Sequence, residues 1–223
     1  MFIGHFALGF AAKKVAPRTS LGTLLLSVGF VDVLWPFFLL LGWEQVRIDP
    51  GNTAVTPLDF VSYPLSHSLL ASVGWALLFG AVYFGFTRYW RGATVLAFGV
   101  LSHWFLDFFS HRPDLPIFPG AGQPKYGLGL WYSVPATLAV ELVLFAVGVA
   151  IYARVTQARN RIGKWGLASF VATMLLIYFG NIFGPPPPSE QAIALFGPVS
   201  LALFAWPYWV DRHRTAIDSA NRN

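Results

Sequence analysis

The sequence predicts an all-α integral membrane protein, a polytopic bundle of six transmembrane helices with a short N-terminal helix inserted in the membrane beside them. Three observations predict it. Of the 223 residues, 56% are hydrophobic and only 11% charged, less than half the roughly 25% charged share of an ordinary soluble domain, and the mean hydropathy is +0.58. Apolar runs recur at 21–43, 69–86, 93–109, 134–155, 165–183 and 192–210. Each approaches the roughly 20 residues that a helix needs to cross about 30 Å of hydrocarbon, and none alternates as a barrel strand would. Basic residues, finally, gather on every second connection.

The first run, MFIGHFALGFAA, ends at Lys13 and Lys14 after 12 residues, about 18 Å of helix, so it is expected to enter the bilayer without crossing it. A secretory signal carries its positive charge before the apolar stretch. Here the charges follow it, so a retained helix is expected. The connections at 44–65 and 110–130 are rich in Pro and Gly, and GPPPPSE at 184–190 is a stiff extended turn. No internal repeat or soluble domain stands out, and residues 1–223 are expected to form a single membrane domain. Within it, residues 1–130 carry most of the unusual polar side chains, and 131–223 add further helices.

Lys13, Lys14 and Arg18, then Arg88 and Arg91, then Arg154, Arg159, Arg161 and Lys164, then Arg212, Arg214 and Arg222 make up 12 of the 15 basic residues. The positive-inside bias makes that side cytoplasmic, with the N-terminus outside and the C-terminus in the cytoplasm. The net charge of +5 therefore reports topology and contact with anionic membrane lipid. A nucleic-acid partner is not expected, since no binding face gathers the basic residues. With no cysteine, disulfides and thiolate metal sites are excluded.

Ionisable groups at membrane depth are costly, so each is a functional candidate. The chain offers His5, Asp32, His103, Asp107 and Glu141, with His67 and His111 at the outer helix ends. Counting about 1.5 Å per residue from the nearest basic residue puts His5 about 12 Å, His103 about 18 Å, Asp32 about 20 Å and Asp107 about 24 Å from the cytoplasmic side. The groups thus gather toward the outer half of the bilayer. In LSHWFLDFFSH, His103, Asp107 and His111 recur every four residues, which aligns them on one helical stripe. An imidazole and a carboxylate one turn apart suit zinc, manganese or magnesium, with zinc favoured by the imidazole count. Other readings stand beside this one. Asp107 paired with a protonated His would tie helices together. Glu141 is a ligand orienter, a helix-packing hydrogen bonder or a proton acceptor. His111, before Arg112 and Pro113, is a ligand or a helix cap. His213 lies in the basic tail and is expected only to be solvated. Asp32 is followed by Pro36, whose ring removes the hydrogen bond to the residue 32 carbonyl and opens the backbone where the acid sits.

The motifs GHFALG, FVDVLWP, PLSHSLL and LSHWFLD together resemble the YdjM-type family of inner-membrane metal-dependent hydrolases over residues 1–130. That family is in turn distantly similar to the all-helical, multi-zinc fold of phospholipase C and single-strand nucleases. The resemblance implies that Asp32, His67, His103 and Asp107 form one metal's ligand set, and that Asp107 bridges to a second metal also held by His5. The sequence departs from the pattern in carrying a single Asp in VDV and in lacking the downstream His-xxx-Glu pair of the third metal, so one or two ions are expected.

The expected activity is metal-dependent hydrolysis of a phosphoester on a lipid or lipid-linked substrate at a bacterial-type inner membrane, from a site opening to the outer side. Its metal residues would be His5, Asp32, His67, His103, Asp107 and His111, with Asp32 or Glu141 taking the proton. The competing expectation is a transporter that uses the same His and Asp groups for a divalent metal or protons.

Overall fold

Residues 1–120 and 122–217 are described by the computed structural model; Arg222 lies outside them. The helices run in the order α1 (Ile3–Ala12), α2 (Leu21–Val28), α3 (Phe30–Leu40), α4 (Pro64–His67), α5 (Leu69–Thr87), α6 (Trp90–Ser110), α7 (Val134–Val155), α8 (Arg161–Phe183) and α9 (Glu190–Asp211). Polar side chains set where several of them start. Ser20, Ser68, Ser133, Asn160 and Ser189 each accept a hydrogen bond from the backbone N–H three residues on, opening α2, α5, α7, α8 and α9. Each satisfies a donor that a helix start leaves without a partner, an effect of about 1 kcal/mol per cap.

Among the described residues, the five helices α5 to α9 are long and apolar enough to cross a membrane. Their outward faces carry Leu77, Phe98, Val143 and Leu176, all well exposed, as a lipid-facing surface requires. The continuous helix expected over 21–43 is instead the pair α2 and α3, bent by 58°. Gly29 leaves helical geometry at φ −104°, ψ 11°. The Ser27 hydroxyl also turns back to donate to the Leu24 carbonyl at 2.7 Å, a local bond that bends helices. The disruption expected at Pro36 does not end the element, because α3 continues through it.

Three antiparallel ribbons were not anticipated in an all-α chain that is otherwise mostly helical. β1 (Gln45–Ile48) pairs with β2 (Leu58–Ser62), β3 (Leu115–Pro116) with β4 (Lys125–Tyr126), and β5 (Thr156–Ala158) with β6 (Arg214–Ala216). The first two give the Pro- and Gly-rich connections their own backbone pairing, so those connections form a shaped cover over one end of the bundle.

The short α1 is packed inside the bundle, with Ile3, His5, Phe6, Ala7 and Phe10 all buried. Gly148 of α7 makes this close approach possible, since a Cβ there would run into the Ala7 backbone. Phe10 meets Phe145, Tyr152 and Phe170 at ring-centre distances of 5.6–6.3 Å. This aromatic core lies toward the basic end of the bundle. A second one, of Trp35, Phe60, Tyr63, Trp104 and Leu115, lies under the ribbon cover at the other end.

Candidate metal centre

Four elements carry the candidate ligands to one place: His5 on α1, Asp32 in the first turn of α3, His67 at the end of α4, and His103 and Asp107 on α6. His111, expected as either ligand or cap, is the residue at which α6 ends. Asp107 is the hub. Its Oδ2 lies 3.0 Å from His103 Nε2, 3.7 Å from His111 Nε2 and 3.9 Å from His67 Nε2. Its Oδ1 lies 3.0 Å from His5 Nε2 and also contacts the Met1 amino group, which in turn donates to Ser110 Oγ at 2.7 Å. Asp32 Oδ1 faces the same space, 3.3 Å from His67 Nε2 and 3.5 Å from His103 Nε2. The carboxyl of Asp32 is 48% exposed, but into a cavity inside the bundle; the other ligand candidates are buried.

The hydrogen bonds on the far side of the imidazoles decide their chemistry. His103 Nδ1 lies 2.7 Å from the Val28 carbonyl. A carbonyl only accepts, so Nδ1 carries the proton. Ser66 Oγ donates to Glu44 Oε2 at 2.7 Å and faces His67 Nδ1 at 2.6 Å, so His67 Nδ1 is again the donor. His111 Nδ1 lies 3.0 Å from Asp114 Oδ1. Three imidazoles therefore turn Nε2 toward Asp107 Oδ2, each with its Nδ1–H held by an acceptor. This outer shell of acceptors is what fixes histidines as metal ligands. His5 differs: its Nδ1 is buried without a partner among the described residues, and its ring is held by stacking on His103 at 3.7 Å between centres.

Glu44, Ser66, Tyr63 and Asp114 escaped the sequence reading. Ser66 had a signal, since it immediately precedes His67; Asp114, three residues after His111, had a weaker one. Glu44 had none, because its contact to Ser66 is made across the β1–β2 connection. Burial raises the pKa of Asp114, but hydrogen bonds from His111, Tyr63 and Arg112 outweigh it and hold the carboxyl below its ordinary range. Arg112 also pairs with Asp59 of β2, tying the ribbon cover to the end of α6. Trp131 packs on His111 at 4.2 Å between ring centres.

Two metal-compatible groups share His103: His5, His103 and Asp107, and Asp32, His67 and His103, with ligand atoms within 4.8 Å of one another. Asp32 Oδ1, His67 Nε2, Asp107 Oδ2 and His103 Nε2 form a ring in which neighbouring atoms are 3.0–3.9 Å apart. A tetrahedral ion with bonds of about 2.0–2.1 Å needs edges of about 3.3–3.4 Å. His103 Nε2 is buried without a hydrogen-bond partner among the described residues. Lone pairs and carboxylate oxygens facing one another repel, and a divalent cation between them would remove that repulsion, so the residues fit one.

Glu141 is separate from this cluster. Its Oε2 accepts from the backbone N–H groups of Phe2 at 2.8 Å and Gly4 at 3.0 Å, which anchors the start of α1 to α7. Its Oε1 is buried without a partner among the described residues. His213, expected to be solvated, lies 3.0 Å from Asn160 at the basic end, far from the site in the fold. A cavity of about 460 Å³ joins Asp32, His67, Asp107, His111 and Glu141 to an apolar wall from α8 and α9 that includes Ile177, Ile193, Phe196 and Leu203. Comparison of the chain with protein families, curated proteins and solved structures gave no match.

Proposed function

We propose that the protein is a membrane-embedded metal-dependent hydrolase acting on a phosphoester of a lipid or lipid-linked substrate. In this reading α2 with α3 is a sixth, broken span beside the buried α1. The N-terminus is outside, the C-terminus is in the cytoplasm, and the site opens to the outer side of a bacterial-type inner membrane. The observation that carries the reading is the set of three Nε2 atoms and two carboxylates converging at the mouth of an apolar cavity, with three Nδ1 positions tied off behind them.

The residues would hold one divalent ion through Asp32, His67, His103 and Asp107. Asp107 Oδ1, turned to His5, would serve a second by displacing the Met1 amino group from that oxygen, and His111 stands within reach of the first. Zinc suits the imidazole-rich set; when bound, such an ion supplies Lewis acidity and makes water nucleophilic near neutral pH. Asp32 is the residue placed to take a proton, because its carboxyl is open to the cavity while Asp107 is enclosed. Its position in the first turn of α3, at the favourable end of a helix dipole, keeps that carboxyl ionised and able to ligate a cation. The apolar wall excludes water and accepts a hydrocarbon chain, so the substrate's polar ester would stop at the ligands.

The test is hydrolysis of phospholipids in nanodiscs by zinc-loaded protein, followed by release of the phosphorylated headgroup. Turnover abolished by chelator and by Asp32→Asn supports the reading. A protein that binds zinc and cleaves no phosphoester contradicts it. The transport reading draws on the helix break beside Asp32, a feature of ion sites in transporters. Zinc uptake into liposomes, lost in Asp107→Asn, would favour it instead.

A further inference from the structure

Two polar atoms on residues of the cavity wall have no work in the scheme above. Glu141 Oε1 on α7 and the Tyr178 hydroxyl on α8 are both buried without a hydrogen-bond partner among the described residues, and both residues line the cavity that holds the candidate ligands. Phe2 ties them into one place: its N–H donates to Glu141 Oε2 at 2.8 Å and its ring stacks on Tyr178 at 6.1 Å. Most of the remaining wall is apolar. Most buried polar atoms in native proteins are hydrogen-bonded; two without partners on residues that line one cavity point to a group that arrives with the ligand.

We propose that Glu141 Oε1 and the Tyr178 hydroxyl form a headgroup subsite for a hydrogen-bond donor on the substrate, an ammonium or hydroxyl group a few bonds from the phosphoester. This rests on the lipid-phosphoester reading and deepens it. A phosphate is the wrong guest for this subsite, because a carboxyl oxygen meeting phosphate oxygens is repulsive or at best neutral. An ammonium donates to both atoms. A hydroxyl donates to Glu141 and accepts from Tyr178. A trimethylammonium group has no donor and leaves both atoms unsatisfied, so phosphatidylcholine is disfavoured. Glu141 is fixed for this task, since its other oxygen is pinned by two backbone N–H groups.

The experiment is binding: zinc-loaded protein in micelles with equal phosphatidylethanolamine, phosphatidylglycerol and phosphatidylcholine, the retained lipid counted by native mass spectrometry. We expect at least one of the first two to be retained about tenfold over phosphatidylcholine, the discrimination that one hydrogen bond supplies. The lipid retained identifies the donor as ammonium or hydroxyl. Glu141→Gln keeps a carbonyl for Phe2 and Gly4 and puts an NH2 donor where Oε1 was, so the preference should vanish. Tyr178→Phe keeps the ring stack and should weaken it. Zinc content of both variants should match the parent, which separates loss of the subsite from loss of the fold. Equal retention of all three lipids by the parent overturns the proposal, as does a preference that survives both substitutions. Hydrolysis of all headgroups alike, lost altogether in Glu141→Gln, also overturns it and makes Glu141 the proton acceptor. Selective binding without turnover keeps the subsite and removes the hydrolase.

Discussion

His103 Nδ1 donates a 2.7 Å hydrogen bond to the carbonyl of Val28, the last residue of α2. The bend of the chain and the candidate metal centre are thus one feature. Carbonyls in the last turn of a helix lack intrahelical partners, so ending α2 at Val28 leaves an acceptor where α6 can use it. The next turn of chain then starts α3 and brings in Asp32.

The approach of α2 to α6 depends on Gly99, one turn before His103, where a Cβ would meet the Ser27 side chain. Gly99→Val should push the helices apart and lengthen the His103–Val28 bond. We expect zinc affinity to fall at least about tenfold, as for loss of a partner behind a ligand, while circular dichroism reports unchanged helix content. Unchanged affinity would show that the Val28 carbonyl is dispensable.

Ser66 links Glu44 to His67 Nδ1. Ser66→Ala leaves His67 free to turn and should cost about 10- to 100-fold in metal affinity, measured by competition with a chelating dye. Glu44→Gln keeps a carbonyl for the backbone N–H groups of Leu65 and Ser66 but puts an NH2 donor where Ser66 Oγ donates, so it should also lower metal affinity.

At the basic end, Lys13 Nζ donates to Asp211 Oδ2 at 2.6 Å, and Asp211 also accepts from Tyr152 and Leu21. Both side chains are buried. Lys13→Met leaves the Asp211 charge without its counter-ion and should destabilise the protein by about 3 kcal/mol, seen as a lower unfolding temperature in detergent. Adding Asp211→Asn should recover part of the loss. Equal losses in the single and double variants would mean that the charges do not interact.

The proposed orientation is testable in intact cells with single introduced cysteines. Asn52 and Gly122 should react with a membrane-impermeant maleimide and Asn160 should be protected. The reverse pattern would invert the topology.

Hydropathy made the long helices legible: α7 occupies 134–155, the run the sequence marks, because Ser133 caps it and Pro135 suits its first turn. The bend at Gly29 was silent, since a glycine within an apolar run changes hydropathy little. Within α6 the spacing alone aligned His103 with Asp107. Loop-borne partners were harder to see, as with Glu44, which reaches Ser66 only after the β1–β2 ribbon folds. Lys13 looked like a topology signal, and its pairing with Asp211, 198 residues away, has no local trace.

Elemental analysis of the purified protein beside a His103→Ala, Asp107→Ala double variant decides whether these groups converge to hold a cation. One or two zinc ions per chain are expected in the parent and none in the variant, with both eluting as folded protein. A parent without metal after zinc loading, or a variant that keeps the parent's metal content, would contradict that convergence.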